Sequence, residues 1–181
     1  MPDNTAMDRK PTTTIIIEWE GPYSLEELKR VEKGNGLYLL TGREDGKRGR
    51  EDELQYCGIT EKQFCERVKH SHHKVKLIRK DSLQIWIGCL IYPHECVRQH
   101  LEDAERAFVS FWDIQMNDKK KRYYPDSPIC IVTRWFRPNG EPYQRFPASL
   151  QFIKQLDDVL WWDTDDWRVG NLRIQKFEDE D

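Results

Sequence analysis

The sequence predicts an α+β fold: a small, mostly antiparallel sheet flanked by helices, with additions at both ends. Three observations lead there. Runs rich in β-branched and aromatic residues, TTTIIIEW, GLYLLT, ELQYCGIT and LQIWIGCLIY, are separated by turn signals. One long segment, 95–114, instead carries an apolar stripe at helical spacing through Val97, Leu101, Ala104, Phe108, Phe111 and Trp112. The chain has 181 residues, 38% of them hydrophobic, which suits one domain with a modest core.

The elements follow in order. Residues 12–19 read as a strand. Ser24 caps a helix running to about Lys33, and Glu27, three residues later, completes a capping box. Gly34-Asn35-Gly36 stops it. GLYLLT and ELQYCGIT then form a hairpin around the charged, glycine-punctuated loop GREDGKRGRED. Residues 61–72 read as a helix, with Phe64 and Val68 on one face and Arg67 beside it. Residues 83–92 form a central strand ended by Pro93, and 95–114 the clearest helix. PICIVTRWF at 128–136 is a further strand, and 147–160 a second amphipathic helix. A tryptophan-rich turn and a last strand, RVGNLRIQKF, close the pattern.

Composition narrows the function classes. No stretch approaches the ~20 apolar residues of a membrane span, and MPDNTAMDRKP has no apolar signal core, so a cytoplasmic location is expected. Cys57, Cys65, Cys89, Cys96 and Cys130 are odd in number and form no C-x-x-C pair, which fits free thiols in a reducing compartment. His94, Cys96 and His100 have spacing that could ligate zinc, but no matching second half exists.

The chemistry-bearing residues are Tyr38 within GLYLL, Tyr56 within LQYCGIT, Arg67 on the following helix, and Glu105 on the long one. Two phenols, a guanidinium and a lone carboxylate suit phosphodiester cleavage: the carboxylate can hold a divalent metal, the arginine can meet phosphate charge, and a phenol can position water. Glu105 lies inside the apolar stripe, where a carboxylate is costly unless paired or metal-bound. Each residue also has a plainer reading: sheet-core tyrosines, a surface arginine, a salt-bridged glutamate.

In order and type, GLY at 36–38, YCG at 56–58, ITEKQFCERVKH at 59–70, LEDAERAF at 101–108 and Asn117 resemble the GIY-YIG nuclease family. The resemblance covers 36–117, leaving 1–35 as an N-terminal strand–helix extension and 118–181 as a C-terminal extension packed on the core. It implies a metal-dependent endonuclease acting on DNA, with RNA left open, in restriction or phage defence. Tyr38 would help activate water, Arg67 would clamp the transition state, and Glu105 would hold Mg²⁺ or Mn²⁺. His70 would contact phosphate or water, and Asn117 would steady the site. Double-strand cutting would call for a homodimer or a partner protein of a defence system. The alternative is a catalytically idle nucleic-acid-binding or protein-interaction module.

Net charge is −3, so any phosphate-binding face has to be local. Candidate contacts are Arg43, Lys47, Arg48 and Arg50 in the hairpin loop; Lys69, Lys74 and Lys76 after Arg67; and Lys119, Lys120, Lys121 and Arg122 after Asn117. The plainer reading of such runs is a set of solvated loops.

Overall fold

The structure is a computed structural model and describes residues 11–112, 114, 116–117, 123–143 and 157–172. Its elements are β1 (Thr13–Tyr23), α1 (Leu25–Leu28), β2 (Gly34–Thr41), β3 (Leu54–Gln63), α2 (Phe64–Arg67), a 3₁₀ turn (Val75–Leu77), β4 (Gln84–Tyr92), α3 (Arg98–Trp112), β5 (Ile129–Phe136), β6 (Val159–Trp162) and β7 (Trp167–Gly170).

The expected fold class is corrected. All seven strands join one mixed sheet in the order β3-β2-β4-β1-β5-β6-β7. Among the described residues the helices are two single turns and α3, so the molecule is mostly sheet, not a small antiparallel sheet flanked by helices. The reason lies in β1. Its residues alternate between buried and half-buried positions, and both of its edges are used. It runs antiparallel to β4 from Ile16↔Tyr92 to Tyr23↔Ile85, and parallel to β5 from Thr13↔Ile129 to Glu20↔Phe136. The strand expected as a peripheral extension therefore joins the antiparallel set β3-β2-β4 to the C-terminal strands.

Local chemistry behaves as read at α1. Ser24 Oγ accepts the Glu27 N–H, and the Glu27 carboxylate accepts the Ser24 N–H. The helix is nevertheless only one turn, because Gly34–Thr41 is recruited into β2. The helix expected over 61–72 also shrinks. Pairing with β2 holds β3 extended as far as Gln63, and Val68 turns extended again at φ −99°, ψ 94°. His70-Ser71-His72-His73, all weak helix formers, do not rescue it. The helix expected over 147–160 falls largely outside the described residues; its last two positions, Val159 and Leu160, open β6 instead.

The sheet has two covered faces. On one, Ile15, Ile17, Trp19, Leu37, Leu39, Cys57 and Trp86 pack against Leu101, Ala104 and Phe108 of α3. On the other, Tyr38, Leu40, Ile85 and Ile87 pack against Phe64, Val68, Val75 and Ile78. Trp19 centres the first face. It is fully buried, stacks on Trp135 at 5.4 Å and meets the edge of Phe108 at 5.9 Å. Its ring fills the space over Gly88, its partner on β4, where a Cβ would come within 2.7 Å of it. No described helix is long and apolar enough to cross a membrane.

Because Trp19 links β1, β4, β5 and α3, Trp19→Ala should cost about 3–5 kcal/mol. Urea denaturation checks this; a loss under about 1 kcal/mol would show that the indole is not central to the core.

Candidate functional site

The site grows out of the β2–β3 hairpin. Tyr38 pairs with Gly58 and Leu40 with Tyr56, so the two tyrosines are diagonal neighbours on one face. Their ring centroids lie 5.9 Å apart. Gly58 makes this possible: a Cβ there would meet the Tyr38 Cζ and Oη at 2.5 Å and the Tyr56 Cε1 at 2.8 Å. The glycine is needed for room, because the Tyr38 hydroxyl occupies the volume its side chain would take.

After α2 the chain turns back over these rings. His72, buried, directs Nε2 at the Tyr38 Oη, 3.1 Å away, and stands edge-on to both phenols at 5.8 Å. His73 stacks on His72 at 4.8 Å and faces solvent. The tautomer of His72 follows from its other nitrogen. Nδ1 accepts the Lys74 backbone N–H at 3.2 Å, so in the neutral ring Nε2 carries the proton and donates to Tyr38. A charged imidazole would turn a second N–H against that of Lys74. Burial, reinforced by Arg67, His73 and Lys74, lowers the His72 pKa to about 4.

Arg67, on the exposed side of α2, faces both phenols. Burial raises the Tyr38 pKa most, with Tyr56 adding to it and the Arg67 guanidinium opposing it. Tyr56 is raised by burial first and then by the Glu105 carboxylate, with Arg67 again opposing. Both phenols are therefore protonated near neutral pH. Glu105 is only 5% exposed on the buried stripe of α3, and its charge is felt by Tyr56.

Asn117 is held differently from a substrate-contacting amide. Its Oδ1 accepts the Cys57 N–H at 2.9 Å and its Nδ2 donates to the Cys57 carbonyl at 2.7 Å. Its side chain thus caps the outer edge of β3 between Tyr56 and Gly58, beside a Met116 N–H bond to the Gln55 carbonyl.

His72 and His73, which pack on the phenols, line a cleft of about 560 Å³ together with Thr60, Glu61, Lys62, Glu66, Arg67, Lys69, Ser71 and Arg98. Four cations thus face two carboxylates. Arg98 is tied to Glu61 and Glu102.

Of the residues named from sequence, Tyr38, Tyr56 and Arg67 converge, with Glu105 and Asn117 behind them. His70 does not join them. It is exposed on another wall, 3.9 Å from Glu26. The residue in its place is His72, brought there because α2 ends at Arg67 and the chain turns back. Among the basic candidates, Lys69 lines the cleft and Lys74 lies 6.0 Å over the Tyr56 ring. Lys76 lines neighbouring depressions. In the hairpin loop Arg43 pairs with Glu51, Lys47 with Glu44 and Arg50 with Asp52, which weakens that loop as a phosphate surface; Arg48 is exposed. Lys119, Lys120, Lys121 and Arg122 lie outside the described residues. Lys62 and Arg98 line the cleft although sequence reasoning did not select them.

Among the described residues no three His, Cys, Asp or Glu side chains group to hold a metal, His94, Cys96 and His100 included. His100 Nδ1 instead accepts the Val97 N–H. A single-carboxylate site is a different case. Mg²⁺ and Mn²⁺ are hard ions that take few protein ligands and complete their shells with water and phosphate oxygens. A lone buried carboxylate whose charge is felt by a phenol is of the chemical type such an ion takes.

No family model, curated protein or solved structure matches the chain.

The depressed pKa of His72 makes stability pH-dependent. The unfolded imidazole takes a proton near pH 6.5 and the folded one only near 4. The stabilisation is therefore complete above about pH 6.5 and lost as pH falls toward 4, by on the order of 2 kcal/mol. His72→Gln should show a decline shallower by that amount between about pH 7 and 4.5 in urea titrations. Parallel declines for both proteins would contradict the buried neutral imidazole.

Proposed function

We propose that this cleft hydrolyses phosphodiester bonds of DNA with a divalent metal bound at Glu105, as a nuclease of the GIY-YIG kind that the sequence resembles. Restriction or phage defence is the biological role we assign to it. The observation that supports this most is the convergence of Tyr38, Tyr56, Arg67 and a histidine at one cationic cleft. These residues come from β2, β3, α2 and the turn after it. Any one of them has an ordinary structural explanation. Together they are the groups phosphoryl chemistry uses: donors for the non-bridging oxygens, a guanidinium for developing charge, and a carboxylate nearby.

The chain's residues divide the work by position. Arg67, exposed and beside both phenols, suits the phosphate oxygens. Lys62 and Lys69 line the approach for the flanking backbone. The phenols, protonated near neutral pH, act as hydrogen-bond donors. Glu105 would hold Mg²⁺ or Mn²⁺, whose contribution when bound is Lewis acidity at a phosphate oxygen and a more acidic water. Asn117 keeps β3 fixed beside α3. A module that binds nucleic acid without turnover would use the same cleft, and cleavage against binding separates the two readings.

Glu105→Gln keeps shape and hydrogen bonding but removes the charge a hard cation needs. Metal-dependent cleavage of duplex DNA should fall by at least about 10³-fold, the order expected for losing an electrostatic stabiliser. Affinity for the duplex, measured by fluorescence anisotropy, should change only a few-fold. Near-normal cleavage by the variant at saturating Mg²⁺ would remove Glu105 from the site.

A further inference from the structure

The two tyrosines are not equivalent, and the difference shows in exposure and in hydrogen-bonding capacity. Tyr38 is 0% exposed, whereas Tyr56 is only half-buried. A phenol hydroxyl has one hydrogen to give and two lone pairs to offer. At Tyr38 the hydroxyl is fully buried and already bonded. His72 Nε2–H donates to its oxygen, because Nδ1 of that ring is committed to the Lys74 N–H. With that oxygen accepting from His72, the hydrogen of Tyr38 has to point elsewhere, and the ring of Tyr56 lies beside it, its centroid 5.9 Å away. Gly58 lies against the Tyr38 hydroxyl and closes its remaining side. Tyr56, half-buried, keeps its own hydrogen for a ligand, beside Arg67 and the imidazoles of His72 and His73.

We infer that Tyr56 is the phenol that touches the substrate phosphate, donating its hydrogen to a phosphate oxygen, and that Tyr38 is a positioning residue oriented by His72. The inference rests on the nuclease reading of the cleft and reassigns the first tyrosine, which the family resemblance would place on the attacking water. It gives the chain one substrate-facing phenol. The His72–Tyr38 bond holds the ring against which Tyr56 packs, and so sets where that phenol sits.

Two readouts test it. In the first, cleavage of duplex DNA is measured for Tyr56→Phe, Tyr38→Phe and the double variant. Losing one hydrogen bond to a charged oxygen should make Tyr56→Phe roughly 10- to 100-fold slower in kcat. Tyr38→Phe should be slowed less. The double variant should be no slower than Tyr56→Phe alone, because Tyr38 acts only through Tyr56. Multiplying effects, or a larger loss for Tyr38→Phe, would overturn the assignment.

The second readout does not need turnover. With 3-fluorotyrosine placed singly at 38 or 56 in the full chain, a DNA duplex added with Ca²⁺ should shift the fluorine resonance at 56 and leave that at 38 in place. A shift at 38 alone, or at neither, overturns the proposal. If the wild-type protein binds DNA without cutting it, the nuclease reading fails, while the fluorine shifts still decide which phenol meets phosphate.

Discussion

The constraint on which the site depends is the empty space above Gly58. Two aromatic rings reach over this one strand position, and a Cβ would collide with both. The absence of a side chain lets the Tyr38 hydroxyl settle against the strand, within reach of His72 above it and Tyr56 beside it. Each neighbour is then held by something else. The Lys74 N–H fixes the His72 tautomer, and the two Asn117 bonds fix the backbone of Cys57 between Tyr56 and Gly58. The cluster belongs to a strand pair that α3 braces from the opposite face.

Charge is arranged at two scales. Over the whole chain the balance is slightly acidic, which gives no pull toward nucleic acid. In the hairpin loop most of the basic residues stand next to carboxylates, and exposed pairs of this kind mainly cancel each other's field. In the cleft the balance differs. Lys62, Arg67 and Lys69 stand together on an open wall, while Arg98 spends its charge on Glu61 and Glu102. Among the described residues, attraction for phosphate is therefore strongest at the cleft beside His72 and Arg67.

Much of this was legible in the sequence, in places where local chemistry decides. The Ser24–Glu27 capping box, the strands around Tyr38 and Tyr56, the long β4 and the stripe of α3 all follow from spacing and residue type. What was not legible depends on distant pairing. Nothing in TTTIIIEW says that it will lie between β4 and β5, and that placement turned a small sheet into a seven-stranded one. His72 was missed for a related reason. Strand pairing carried β3 to Gln63 and left α2 a single turn, so the chain after Arg67 folds back and brings His72, not His70, to the phenols. Asn117 was expected to steady the site, and its role in closing the β3 edge depends on tertiary contact.

Arg67 offers the most direct test of the account, because it faces both phenols from an exposed position and its loss leaves the core intact. The measurement is conversion of supercoiled plasmid to nicked or linear DNA with Mg²⁺ or Mn²⁺, comparing the wild-type chain with Arg67→Ala at matched folding. The account predicts metal-dependent conversion by the wild type and a loss of at least about 10²-fold in the variant, the scale for removing a group that stabilises transition-state charge. Equal rates for the two proteins, or no conversion by the wild type across a range of DNA substrates, would contradict it.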